Sequence, residues 1–261
     1  MNGFGNEVIS IRNLWAGYDN EVVLEDINLS VKALDFVGLI GPNGGGKTTL
    51  LKVLLGLIRP YQGEVRIMGE SVIEGRQYIG YVPQSVEFDR SFPIRVFDVV
   101  QMGRLGKKKL LHRFTKEDDQ AVLEALENVD LLDLKDHSIG DLSGGQRQRA
   151  FIARALASHP SILLLDEPMA SVDPHVSTNI FELLREINQK ITIILISHNM
   201  DAISSYVKTI GCVSRKLFYH AEKAITAEML EAAYQCPIDL IAHGLPHRHL
   251  KEHSFEEAGN S

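Results

Sequence analysis

Apolar and polar residues alternate from Val8 to Leu14 and again from Val22 to Val31. A period of two marks strands with one covered face, so the two segments predict an antiparallel sheet near the start of the chain. The pattern then changes. Val37–Ile40, Ile79–Val82, Ile162–Leu165 and Ile191–Ile196 are short, unbroken apolar runs, as expected of strands buried on both faces of a parallel sheet. Between Gln84 and Pro160 no strand pattern appears. There Val96–Gly103, Thr115–Val129 and Ser143–Ser158 read as helices, the second opening on Thr115-Lys-Glu-Asp118, which resembles a capping box. The expected fold class is α/β: a parallel-sheet core, an N-terminal antiparallel β subdomain and an inserted helical subdomain. By number, 1–84 and 159–225 form the core, 85–158 the helical insertion and 226–261 a C-terminal extension.

The candidate chemistry begins where the run Asp35–Ile40 meets the leucine-dense stretch Thr48–Gly56. Gly41, Pro42, Asn43, Gly44, Gly45, Gly46, Lys47, Thr48 and Thr49 join them and fit G-x-x-x-x-G-K-[ST]. Glycines let a backbone curl until successive N–H groups point at one anion. Lys47 adds a charge for β- and γ-phosphates, Thr48 a hydroxyl for Mg²⁺, and the anion sits at a helix N-terminus. The alternative, a chance glycine-rich turn, does not explain Lys-Thr at those offsets. A P-loop NTPase core binding a nucleoside triphosphate is expected.

Two further motifs narrow the class. No Asn-Lys pair occurs, so the guanine-reading Asn-Lys-x-Asp is absent. Leu142, Ser143, Gly144, Gly145 and Gln146 open a second helix, with Ser143 as the candidate N-cap. Alone, the segment also fits an ordinary serine-capped helix. Ser161–Pro168 is an apolar strand ending in Asp166 and Glu167, carboxylates suited to supporting Mg²⁺ and activating water.

In this order the motifs resemble the nucleotide-binding subunit of an ATP-binding-cassette transporter along nearly the whole chain. The resemblance implies a stacking role on adenine for Tyr18 and a Mg²⁺-sensing, partner-coupling role for Gln84 in Tyr81-Val-Pro-Gln84. It implies that Ser143 to Gln146 contact the nucleotide of a second subunit. Asp173 in Ser171-Val-Asp-Pro174 and His198 in Ile196-Ser-His-Asn199 complete the set, His198 holding the γ-phosphate. Lys47, Gln84, Glu167 and His198 are the expected catalytic residues; Thr48, Gln84 and Asp166 are the expected Mg²⁺ ligands. Gly45 and Met169-Ala170 depart from the commonest family pattern, which has alanine or serine and a threonine pair there. The resemblance further implies ATP and Mg²⁺ as cofactors, a homodimer, a polytopic membrane permease, a substrate-binding protein and a place on the cytoplasmic face of the membrane.

Composition leaves that expectation in place. At 261 residues and 44% hydrophobic content the chain can bury one large core. No stretch approaches 18 consecutive apolar residues, and Met1–Glu7 lacks the features of a signal peptide, so a soluble, uncleaved protein is expected. Cys212 and Cys236 match no metal or disulfide spacing. A net charge of −7 argues against nucleic acid as a partner. The basic residues Arg104 to Lys109, with Arg113, read as a solvated loop.

Substrate rests on looser likeness. Phe92–Arg104 and Tyr234–His249 resemble the branch serving importers of zinc, manganese or iron ions. An importer of iron chelates or another small solute, and a cassette ATPase without a transport role, are the alternatives. His243, His247, His249 and His253 are either a transition-metal site of neutral imidazoles or incidental histidines of a solvated tail.

Overall fold

The structure, a computed structural model, describes residues 7–19, 21–84, 92–107, 113–169, 174–197, 203 and 205–220. β1 (Glu7–Tyr18) pairs antiparallel with β2 (Glu21–Lys32), both longer than the alternating segments. β3 (Phe36–Ile40) follows, then α1 (Lys47–Leu54), β4 (Gln62–Ile67), β5 (Glu70–Ser71), α2 (Val72–Gly75) and β6 (Ile79–Val82). The helical segment holds α3 (Val96–Gln101), α4 (Lys116–Glu127) and α5 (Gly144–Leu156). β7 (Ile162–Asp166), α6 (Pro174–Ile187), β8 (Thr192–Ile196), β9 (Thr209–Ser214) and β10 (Lys216–His220) complete it.

Two sheets result. One runs β2-β1-β4-β5 and is antiparallel; the other runs β10-β9-β3-β8-β7-β6, parallel except for the β10 edge. Every residue of β3, β7 and β8 is buried, which is why those segments carry no alternation. Their faces still differ. Ile162, Leu164, Ile194 and Ile196 pack toward α1 and the antiparallel sheet, whereas Leu163, Leu165, Ile193 and Leu195 pack toward the helical segment. A buried leucine in such a layer contributes about 1.5–3 kcal/mol, so the core sheet is held from both sides.

The helical segment agrees with its expected content and corrects two details. α3 tightens into a 3₁₀ turn at Met102–Lys107, where Gly103 lies so close to α5 that a Cβ would stand 1.9 Å from the Arg154 carbonyl. The solvated-loop reading of the basic cluster fails at Arg104. Its guanidinium pairs with the buried Asp118 carboxylate at 2.9 Å and donates to the Ala157 carbonyl at 2.9 Å. Asp118 also accepts from the Thr115 N–H at 2.8 Å, as a Thr115–Asp118 capping box predicts, and from the Thr115 hydroxyl at 3.0 Å. β4, β5, α6, β9 and β10 lie where the apolar pattern predicted no element.

A candidate nucleotide site at the ends of the core strands

Asn43, Gly44, Gly46, Lys47, Thr48, Thr49, Gln84 and Glu167 line one cavity of about 540 Å³. They arrive from three strands of one sheet. β3 ends at Ile40 and releases the P-loop; β7 ends at Asp166, with Glu167 next in the chain; β6 leads to Gln84. Open parallel sheets bind ligands outside these carboxyl ends.

The P-loop takes its shape from three positive-φ glycines: Gly41 at 147°, Gly44 at 78° and Gly46, the N-cap of α1, at 101°. At Gly41 a Cβ would meet the Val213 carbonyl of β9 at 2.1 Å, so only glycine fits. Gly45 is nearly as confined: a Cβ there would stand 2.7 Å from the same oxygen and 3.0 Å from the Pro42 carbonyl. This approach gives the departure at position 45 a physical reason. The buried Lys47 ammonium donates to the Gly41 and Pro42 carbonyls at 2.8 and 2.9 Å, closing the curl from inside. Burial pushes its pKa down, while the Glu167 and Asp166 carboxylates oppose the fall.

Asp166 is buried and takes a hydrogen bond from the Thr48 hydroxyl, yet its Oδ1 has no hydrogen-bond partner among the described residues. Desolvation raises its pKa, helped by Glu167; the Thr48 hydroxyl, Lys47 and Lys52 pull the other way. A buried carboxylate oxygen with an open lone pair, beside a hydroxyl at a P-loop helix start, fits a hard divalent cation. Glu167 follows with φ at 46°, a left-handed backbone rare outside glycine, and its N–H donates to the Ile196 carbonyl at 3.0 Å. The Gln84 amide reaches the Glu167 carboxylate at 3.1 Å.

Other expected residues lie elsewhere. Tyr18, 42% exposed, is not part of the cavity lining; its hydroxyl accepts from Lys52 of α1 at 3.2 Å. Ser143, Gly144, Gly145 and Gln146 do not line it either. Ser143 caps α5: its hydroxyl accepts the Gln146 N–H at 3.3 Å and the Gln146 side chain accepts the Ser143 N–H at 2.9 Å. Asp173, His198, His243, His247, His249 and His253 lie outside the described residues. Sequence reasoning missed Lys52, Val213 and Arg215. The last two touch the P-loop from β9 and the turn after it, a segment with no local signal for that contact.

The family described as ABC transporter matches residues 24–170, a window holding the P-loop, Gln84, the α5 N-terminus and both acids. The chain belongs to the ABC transporter family. It is a cassette of the kind that binds and hydrolyses ATP for a transporter whose membrane permease is a separate partner. It is 39% identical over 219 residues to a zinc uptake system ATP-binding protein, ZurA, of Listeria innocua, covering 82% of this chain and 85% of that one. With a manganese transport system ATP-binding protein, MntB, of Listeria monocytogenes it shares 39% over 230 residues, 87% of this chain and 95% of that one. Among solved structures, a metal-chelate type ABC transporter in an inward-facing conformation superposes with a TM-score of 0.79 at 30% identity, covering 89% of this chain and 91% of that chain. Among the described residues of this cassette, no helix is long and apolar enough to cross a membrane.

Proposed function

We propose that this cassette hydrolyses Mg²⁺-bound ATP in the P-loop cavity, as one half of a homodimer, to drive import of zinc or manganese through a separate permease. The observation that carries the nucleotide half is the convergence of Lys47, Thr48, Gln84 and Glu167 on one cavity, with the buried Asp166 bonded to the Thr48 hydroxyl and its Oδ1 left without a partner among the described residues. Thr48, Asp166 and Gln84 would hold the cation. Bound there, Mg²⁺ supplies charge neutralisation for the phosphates. The P-loop amides and Lys47 cradle the phosphoryl groups, Glu167 takes the proton of the attacking water, and His198 steadies the γ-phosphate. Tyr18 offers its exposed ring to the adenine.

A mismatch supports the dimer. The helix N-terminus capped by Ser143 does not line the P-loop cavity of its own chain. Two-fold pairing would bring Ser143 to Gln146 of each subunit onto the other's nucleotide. The permease has a suitable seat in the groove of about 790 Å³ between the core and the helical segment, where Ile73 and Met102 are 60% and 45% exposed. Docking there places the cassette on the cytoplasmic face of the membrane, while a substrate-binding protein serves the opposite face.

The metal rests on the relatives, which are named for zinc and manganese. A second reading, import of a metal chelate, is favoured by the solved neighbour of that type. Uptake measured one ion at a time in cells lacking this chain separates the two. We expect zinc or manganese uptake to fall and to return with the intact chain but not with Lys47→Ala. Loss of chelate uptake alone would favour the second reading, and no loss of either, without co-purification of a polytopic membrane protein, would point to a role outside transport.

A further inference from the structure

The turn between β9 and β10 forms a wall of the P-loop, and nothing in the chemistry above uses it. Three contacts fix it there. The Arg215 N–H donates to the Gly45 carbonyl at 3.0 Å, and the Arg215 carbonyl accepts the Glu25 N–H of β2 at 2.7 Å. The Arg215 guanidinium also pairs with the Glu25 carboxylate, Nε lying 3.1 Å from Oε1 while a second N–H reaches the same oxygen. Arg215 makes all three from a left-handed backbone with φ at 56°. Two residues earlier, the Val213 carbonyl occupies the space that a Cβ on Gly41 or Gly45 would need.

A single residue thus bonds in one direction to the phosphate loop and in the other to β2. β2 is the antiparallel partner of β1, and the register places Tyr18 opposite Glu21 at the end of that pair. The two ends of a nucleotide therefore meet two bodies: phosphates on a loop of the parallel sheet, base at the rim of the antiparallel one. When two contacts belong to one ligand, affinity depends on how well their separation is preset, since a loose spacing must be ordered at the moment of binding. Arg215 and Glu25 form one joint between those bodies, beside the direct packing of Gly46 on Val23 and Leu24 of β2.

We propose that Arg215 is a positioning residue for nucleotide binding. Held by Glu25, it fixes the P-loop relative to the β1–β2 sheet, so that phosphates and base are engaged together. The proposal rests on the reading above that the P-loop takes the phosphates and Tyr18 the adenine. It differs from a purely structural role in one respect: its loss weakens ligands that carry a base and spares ligands that do not.

Titration calorimetry on the purified full chain, with Mg²⁺ present, tests this using ATP and inorganic tripolyphosphate as the two probes. The proteins are wild type, Arg215→Gly, Glu25→Gln and Tyr18→Ala. Glycine adopts the left-handed backbone without strain, so the turn keeps its path. For a partly exposed ion pair we expect Arg215→Gly and Glu25→Gln to weaken ATP about threefold to fivefold, with tripolyphosphate binding unchanged. Equal weakening of both probes, or of neither, overturns the proposal, as does a lowered unfolding temperature with an unchanged ratio of the two affinities. Tyr18→Ala reports separately on the stacking reading. Should that variant bind ATP like wild type, Tyr18 is not the base contact; a base-selective loss in Arg215→Gly would still uphold the positioning role, with adenine seated elsewhere on the same sheet.

Discussion

The Gln84 side-chain amide donates to the Glu167 carboxylate, Nε2 lying 3.1 Å from Oε2. The two residues follow different strands, β6 and β7, which are neighbours in the parallel sheet, so sheet pairing itself delivers them to one another. The contact uses one lone pair of the carboxylate proposed to accept a proton from water. Glu167→Gln keeps the shape and an oxygen able to accept the same hydrogen bond, but removes the basicity. Loss of a positioned base costs about 10²–10⁴-fold in rate. We expect ATP turnover to fall by that much, ATP affinity to stay near wild type, and an ATP-dependent dimer to persist on size-exclusion chromatography. Near-normal hydrolysis would remove Glu167 from the mechanism.

On the proposed mechanism, the same contact would let Gln84 link permease and chemistry. It stands where β6 leaves the core sheet for the helical segment, and it touches the carboxylate proposed as the base. Gln84→Ala is expected to leave ATP affinity and basal hydrolysis within about twofold to fivefold, the worth of one exposed hydrogen bond, while removing most of the acceleration given by the permease. Assays with and without the reconstituted membrane subunit give both numbers. An equal proportional loss in the two would reduce Gln84 to a Mg²⁺ contact.

What the sequence reveals and what it hides divides along the range of the interactions. β3, β7 and β8 were legible because both their faces are covered and the apolar run has no gap. The P-loop and the α5 cap were legible because backbone curling and capping are settled within a few residues. β4 was hidden: of Gln62–Ile67 only Val65 and Ile67 are buried, so the strand follows from pairing with β1 rather than from its own pattern. β9, with Gly211 and Ser214 in it, gains its place from β3. Arg104 looked like part of a basic loop because its partner Asp118 lies 14 positions away, across a helix start. Arg215 and Glu25 lie 190 positions apart and meet only because two sheets dock. No local pattern carries that information.

Position 45 offers a test of how closely β9 walls the P-loop. Alanine adds a Cβ 2.7 Å from the Val213 carbonyl and 3.0 Å from the Pro42 carbonyl, and neither oxygen belongs to a flexible side chain. Something in the backbone must shift. Overpacking of this kind costs about 1–3 kcal/mol, or about 2–4 °C of unfolding temperature per kcal/mol for a chain of this size. We expect Gly45→Ala to unfold several degrees lower without nucleotide and to bind ATP more weakly. An unchanged midpoint would show that β9 yields to the added methyl at little cost.

Asp166 gives stability a dependence on pH with a definite sign. Its carboxyl titrates above the ordinary range chiefly because burial penalises the charge; Glu167 adds to the rise, and the Thr48 hydroxyl, Lys47 and Lys52 reduce it. The sign follows from proton counting. Between the unfolded and folded pKa values the folded chain keeps a proton that the unfolded chain has released. Stability from this group therefore falls as pH rises through that window, and the penalty is complete above it. Asp166→Asn removes the penalty while keeping the side chain's size and its oxygen for Thr48. In the absence of nucleotide we expect the variant to unfold at or above the wild-type temperature at neutral pH, with the difference shrinking as pH is lowered toward the ordinary carboxylate range near about 4. Added Mg²⁺ and ATP should then raise the wild-type midpoint by mass action and leave the variant nearly unmoved. A variant less stable than wild type at neutral pH would mean that Lys47 and Lys52 outweigh burial, and that the charge on Asp166 supports the fold even before a cation arrives.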